Sequence, residues 1–276
     1  MGLARSTYYY QPRSRQAKAA EDQRIVLRLE ALAVTYPRYG YRRMTAQLRR
    51  EGLMVNHKRV LRLMQEHCLI VKPRRRYQAT TDSAHGLAVY PNLYSGKVFR
   101  GIDQAWVADI TYVRLGQGFI YLAVILDACS RLAVGWSLSR FIDAELTCTA
   151  LRRALDLRDP GAGCIHHSDR GKQYAARDYT AILRERGFEI SMSAKGNPYD
   201  NAQAESFMKT LKVEEVYLAE YLNATDAASR ISEFIGEVYN KQRLHSALGY
   251  VPPAEFELSL SCSSDTTLIQ QEMCPA

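Results

Sequence analysis

The chain has 276 residues, of which 47% are hydrophobic and 24% charged, a balance that excludes a disordered polypeptide and points to folded domains. No apolar run approaches the ~20 residues that a membrane helix needs, and the first residues, MGLARSTYYYQPRSRQ, lack the apolar stretch of a secretory signal, so a cytoplasmic protein without a membrane partner is expected. The formal net charge of +8 is uneven: residues 1–80 hold 18 Lys and Arg against 5 Asp and Glu, a basic module suited to gripping a polyanion, joined to a near-neutral body.

Residues 1–20 read as an N-terminal tail. In RIVLRLEALAVT (24–35), Ile25, Leu29 and Leu32 recur at helical spacing. After the Pro/Gly break YPRYGYRR, a second helix is expected over 42–51 and is ended by Gly52. Asn56 is placed to cap a third, HKRVLRLMQEHCL. Short helix, glycine turn and capped helix form a helix-turn-helix pattern, assigned to residues 21–72. Lys58, Arg59 and Arg62 stand near the start of the helix that would enter a DNA major groove. An ordinary helical hairpin is the plainer alternative, and the local charge favours DNA. VKPRRRYQATTDSAHG is basic and aperiodic, and residues 73–100 read as a linker whose Arg74, Arg75 and Arg76 can touch phosphates.

From Gln104 the texture changes. AWVADITYVRL alternates, GQG makes a tight turn, and FIYLAVILDACS and LAVGWSLS supply two more strands. A helix comes next, DAELTCTALRRALDLRD, with Asp143 as cap. After it stand the strand GCIHHSD, the helix YAARDYTAILRERG, the strand FEISMS and a further helix beyond Gly196-Asn197-Pro198. This βββαβαβα order predicts an α/β fold: an RNase H-like mixed sheet with helices on its faces, over residues 101–258, preceded by the small all-α unit. YNKQRLHSALGYVPPAEFE (239–257) reads as a helix end, a polar loop and a Pro-Pro stop, and 259–276 as a loose tail.

The six cysteines are scattered without a C-x-x-C pair, which reads as free thiols. Cys164 and the adjacent His166 and His167 hint at zinc, but no second ligand pair is present, and buried structural residues are the better reading.

Three carboxylates carry the chemistry. Asp109 sits inside the first strand, where Asp is disfavoured. Asp169 ends the short strand CIHHSD, and functional groups gather at such strand ends. Glu205 lies on the helix after the next strand. If the first and fourth strands are neighbours, the two aspartates stand side by side and Glu205 projects toward both. Three such charges repel by roughly 4 kcal/mol per pair at about 4 Å, so a cluster of this kind stays ionised only around cations. Oxygen-only ligands select Mg²⁺ or Mn²⁺, and a pair of ions suits phosphodiester displacement. Asp127, at the end of the second strand, is the competing acid. Asp103, Asp143 and Asp200 suit loop or cap roles.

Thirty-five residues separate Asp169 from Glu205. With that spacing, the stretches WVADITYV, HHSDRGKQY, SMSAKGNPYDNAQAESFMKTLK and YNKQRLHSALGYVPPAEFE resemble the DDE transposases and integrases. More narrowly, they resemble the second-frame product of the IS-three family of bacterial insertion sequences, over about residues 21–257. The resemblance implies that Asp109, Asp169 and Glu205 are a catalytic, metal-binding triad for two Mg²⁺ ions, with Mn²⁺ as substitute. It also implies that Lys212, seven residues past Glu205, contacts DNA near the scissile phosphate. Asn201, Glu205, Lys209 and Lys212 fall on one face of an ideal helix. Lys209 and Asn201 are therefore further candidate DNA contacts, and Asn197 in the preceding turn and Arg170 and Lys172 beside Asp169 are others, with turn chemistry or solvated charge as the plainer alternative.

The implied activity is metal-dependent cleavage at the element's terminal inverted repeats, then in-line attack of the freed 3′-OH on another phosphodiester, with an excised circular intermediate. The implied partners are double-stranded DNA, further copies of this chain on DNA, and the upstream-frame protein, whose tail the segment GLARSTYYY resembles. The implied setting is the bacterial cytoplasm and nucleoid. A non-catalytic DNA-binding regulator and a simple nuclease are the alternatives; the carboxylate triad counts against the first, the basic arm and the YNKQRLHSALGY motif against the second.

Overall fold

The computed structural model describes residues 15–71, 88–116, 118–194 and 198–261. Arg74, Arg75, Arg76 and Asn197, and with them their expected DNA contacts, lie outside the described residues. The chain divides into two compact units, Met1–Arg75 and Arg76–Ala276.

The first unit contains α1 (Arg15–Thr35), α2 (Tyr41–Arg50) and α3 (His57–Glu66). Ile25, Val26, Leu29 and Leu32 of α1 pack with Met44 and Leu48 of α2 and Val60, Leu63 and Met64 of α3 to make its core. α1 begins well ahead of residue 24. Residues 17–24 are almost wholly exposed and show no apolar period, but Ala17, Ala19, Ala20 and Glu21 are strong helix formers. Gly52 ends α2 at φ 84°, in the left-handed region that favours glycine. The Asn56 side chain accepts a hydrogen bond from Lys58 N at 2.8 Å and caps α3.

The second unit is built on five strands: β1 (Ala105–Arg114), β2 (Phe119–Asp127), β3 (Ala133–Ser139), β4 (Ile165–Ser168) and β5 (Glu189–Met192), in spatial order β3-β2-β1-β4-β5. The first three run antiparallel, as hairpin strands do. β4 and β5 add in parallel on the other side of β1, which requires crossover helices. These are α4 (Ala144–Leu157), capped by Asp143 through Leu146 N at 3.0 Å, and α5 (Arg177–Glu185). The mixed sheet with helices on its faces is the expected architecture.

Alternation along β1 divides the core. Trp106, Ala108 and Ile110 point to the face covered by Leu146, Leu151, Tyr179 and Leu183 of α4 and α5. Val107 and Val113 point to the opposite face. That face is covered by α6 (Ala202–Leu211) and α7 (Ala224–Glu233), through Ala204, Phe207, Leu211 and Ile231. The first face is packed backbone to backbone: a Cβ on Gly135 of β3 would fall 2.4 Å from the Ala150 carbonyl oxygen of α4. Within the segment read as a linker, Leu93, Tyr94 and Phe99 pack on the second face.

Two features depart from the expected pattern. α6 and α7 each run on into a π-helical turn, Lys212–Val216 and Phe234–Tyr239. Pro252-Pro253 starts a helix instead of stopping one: α8 covers residues 253–261. Proline suits the first helical position, where its missing N–H would be unpaired anyway and its fixed φ is already helical.

Candidate active site

Asp109 is the fifth residue of β1, opposite Val124 of β2. β4 pairs with β1 up to His167 opposite Val107. Asp169 directly follows Ser168, the last residue of β4, and Asp109 lies two residues beyond Val107 on the neighbouring strand. Asp109 shares the parity of Val107 and Val113, so it faces the side of the sheet that α6 covers, and Glu205 stands on α6.

The electrostatics tie the groups together. The Asp109 carboxyl is pushed up to about 8, first by burial and then by Asp169, with Glu205 adding to the effect and the Ile110 amide and Lys212 opposing it. Burial also raises Glu205. Lys212 is lowered by burial, with Asp109 pulling the other way, and its Nζ lies 4.7 Å from the centroid of the Tyr112 ring. One oxygen of each aspartate meets nearby backbone: Ile110 N donates to Asp109 at 2.8 Å and Gly171 N to Asp169 at 2.9 Å. Among the described residues no three carboxylate, imidazole or thiol groups converge tightly enough to hold an ion as they stand. The donor set nevertheless fits hard divalent cations. It is all oxygen, and Asp169 and Glu205 both raise the proton affinity of Asp109, so bound positive charge would relieve that carboxyl.

The other expected contacts scatter in exposure. Lys209 and Lys172 are exposed. Arg170 donates through Nε to the Ser193 carbonyl at 2.8 Å. Asn201 turns inward, donating to the Ala108 carbonyl at 3.3 Å. It belongs to a 3₁₀ turn, Pro198–Asn201, and its φ of −115° and ψ of 21° are not helical, so it leaves the stripe that an uninterrupted helix would give it. In the helical unit Lys58 is exposed. Arg59 pairs with Asp22 at 2.7 Å and Glu21 at 3.2 Å, and Arg62 with Asp22 at 2.7 Å and Glu66 at 2.9 Å.

Asp127 is fully buried and accepts from the backbone N–H groups of Asp103, Cys129 and Ser130. It sits opposite Trp106, three residues from Asp109 along β1, and organises the turn into β3. The zinc alternative fares no better. His166 bonds the Tyr179 hydroxyl at 2.8 Å, and His167 bridges Ser191 and Ser193 at 2.8 and 3.1 Å while stacking on Tyr94. Both imidazoles are held neutral by burial, at about 3 and about 4. Cys68, Cys129, Cys148 and Cys164 are free.

Sequence reasoning passed over Tyr174. Its hydroxyl is buried with no hydrogen-bond partner among the described residues, within electrostatic reach of Asp109 and Asp169. The only signal was its position, five residues after Asp169 in DRGKQY.

Comparison with known proteins adds to this geometry. A family described as "Integrase core domain" matches residues 101–198, and a second of the same description matches 186–253. One described as "HTH-like domain" matches 20–77. The chain is 42% identical over 262 residues to the "Insertion element IS600 uncharacterized 31 kDa protein" of Shigella sonnei, covering 92% of this chain and 95% of that protein. It is 39% identical over 230 residues to "Transposase InsF for insertion sequence IS3A" of Escherichia coli (strain K12), covering 83% of this chain and 80% of that one. Among solved structures, the catalytic core domain of BIV integrase is 18% identical, covers 59% of this chain and 98% of its own, and superposes with a TM-score of 0.44. No helix among the described residues is long and apolar enough to cross a membrane.

Proposed function

The chain belongs to the IS-three family of insertion-sequence transposases, and from that membership we propose that it cuts and joins DNA at the ends of its element with Asp109, Asp169 and Glu205 as the catalytic carboxylates. The observation that supports the reading is the parallel pairing of β1, which carries Asp109, with β4, which ends directly before Asp169, while the helix of Glu205 covers the face to which Asp109 points.

Divalent cations, Mg²⁺ or Mn²⁺, would supply activation of the attacking oxygen and stabilisation of the leaving one. The three carboxylates would hold that charge in place. Lys212, beside Asp109, offsets the charge of the phosphate brought to the site. Arg170 and Lys172 lie on the loop that leaves β4, next to Asp169. The helical unit binds the terminal repeat, and a second copy of the chain is needed to hold the second DNA end.

In the first step water displaces the 3′ oxygen from the phosphodiester at the element's end, leaving a 3′-OH and a 5′-phosphate. In the second, that 3′-OH attacks a target phosphodiester in line and displaces another 3′-OH. One P–O bond forms as one breaks, so no external energy source is required.

The test is Mg²⁺-dependent cleavage and strand transfer on labelled duplexes carrying the terminal repeats, with Asp109→Asn, Asp169→Asn and Glu205→Gln alongside. Loss of at least about 10³-fold in each variant, with repeat binding retained, is the expected outcome. Normal activity in any one would remove that residue from the site, and repeat binding without cleavage by the unaltered chain, alone and with the upstream-frame protein, would favour a regulator.

A further inference from the structure

The motif YNKQRLHSALGY has no part in the chemistry of the carboxylates, and the structure puts some of it to work beneath α6. Arg243 is 4% exposed and forms a two-pronged pair with Glu214, Nε to Oε2 and Nη2 to Oε1, both at 2.8 Å. Its remaining amino group lies 3.3 Å from His245 Nε2. His245 packs edge-on against Tyr239, which packs edge-on against Phe207 of α6. Glu214 is two residues beyond Lys212, inside the π-helical turn that closes with Tyr217 N donating to Lys212 O at 2.9 Å. Its neighbour Glu215 is held separately, by Arg230 at 3.7 Å and by the Tyr221 hydroxyl at 3.2 Å.

We propose that Arg243 is a positioning residue for DNA strand transfer: through Glu214 it fixes the π-helical turn whose first residue is Lys212, and so fixes where the Lys212 ammonium meets the DNA phosphate. This rests on the reading of Lys212 as the lysine that offsets the phosphate charge.

Three physical points support the assignment. A π turn is wider than an α turn, rare, and concentrated at functional sites, so it needs support from outside the helix. Here the two consecutive glutamates of one π turn are each clamped from a different later element. Second, a buried ion pair is a poor source of net stability, because desolvation offsets most of the attraction; its better-attested use is to enforce one register. Third, the guanidinium fork engages both carboxylate oxygens, which removes the rotational freedom that a lysine would leave. Among the described residues, Lys212 itself has an aromatic face nearby and no carboxylate at salt-bridge distance, so its position depends on the backbone that carries it.

The test is a double-mutant cycle on the full chain. Arg243→Lys keeps the charge but loses the fork, and Glu214→Gln keeps an acceptor but loses the charge. Each is measured alone and with Lys212→Ala, by affinity for the repeat-end duplex and by single-turnover strand transfer, with thermal midpoints recorded throughout. The expected result is a folded protein whose strand transfer falls about tenfold or more in the single variants, with little further loss when Lys212 is already alanine. Equal losses in both backgrounds, or full strand transfer and duplex affinity despite a lowered midpoint, would make the pair purely structural and overturn the proposal. If the unaltered chain shows no metal-dependent cleavage, the functional reading fails by itself, while the affinity cycle still decides whether Arg243 acts through Lys212.

Discussion

Lys212 holds its ammonium 4.7 Å from the centroid of the Tyr112 ring, so the end of β1 and the end of α6 meet through a cation and an aromatic face. Such a contact is worth roughly 0.5–2 kcal/mol, more when shielded from water. Tyr112→Phe retains the face and should leave strand transfer close to normal. Tyr112→Leu removes it and should slow strand transfer by about 2- to 30-fold on that estimate, with a small change in thermal midpoint. A single-turnover assay on pre-cut repeat ends separates the two, and equal rates for Phe and Leu would show that the ring does not guide the lysine.

Asp109 makes cation-free stability depend on pH. Its folded carboxyl is raised to about 8 from an ordinary value of 3.8, by burial first and Asp169 second. A folded state that holds its proton up to about 8 binds more protons than the unfolded chain between those two values, so this group's contribution falls as pH rises from about 4 to 8. Asp109→Asn removes the penalty. The variant should be more stable than the parent at pH 8 without metal, by an amount on the order of a few kcal/mol at most, and nearly equal at pH 4. Chemical denaturation with a chelator at both values measures this, and added Mg²⁺ should narrow the gap at pH 8.

Burial raises the Asp127 carboxyl too, but replacing it should destabilise the protein. Three backbone donors and the Ser130 hydroxyl converge on it at the end of β2. Asp127→Ala would leave those buried N–H groups unpaired, at a cost of roughly 1–3 kcal/mol each before relaxation. The protein should lose several degrees of thermal midpoint, or fail to accumulate, at every pH. Stabilisation of the Asp127 variant together with destabilisation of Asp109→Asn would exchange the two roles.

Asp22 holds Arg59 and Arg62 on the helical unit. Because Glu21 also holds Arg59 and Glu66 also holds Arg62, Asp22→Asn combined with Glu21→Gln and Glu66→Gln should free both guanidinium groups while costing little stability, since these pairs are partly exposed. If either arginine meets phosphate, affinity for duplex DNA rises and the slope of log K against log salt steepens by about one unit per contact. Anisotropy titrations at several salt concentrations test this, and an unchanged slope would exclude both arginines from the DNA interface.

Much of the second unit was legible because its signals are local and periodic. The alternation of AWVADITYV, the GQG turn and the Asp143 cap each name an element within ten residues or so. The neighbouring of β1 and β4 entered the sequence reading only as a condition, and the strand order meets it. What escaped depends on partners distant in sequence or on unusual turns. Asp22 lies 37 and 40 residues from Arg59 and Arg62, so nothing near those arginines announces that they are paired. A π turn has no hydrophobic period of its own in a five-residue stretch. The 3₁₀ turn before α6 rotates Asn201 inward, although ideal helical spacing sets it beside Glu205. Pro252-Pro253 suits a helix stop and a helix start alike, and only the packing of the residues beyond it decides between them.

The groups that make up the site are far apart along the chain. Asp109 lies on β1, Asp169 directly follows β4, which is complete at Ser168, and Glu205 comes later, on α6. The ion pair that braces the end of α6 depends on Arg243, thirty-one residues past Lys212. During synthesis the ribosome tunnel therefore still covers Arg243 when all three carboxylates have already emerged. A nascent chain paused at that point carries the complete set of acidic groups but lacks the ion pair that braces the π turn after α6.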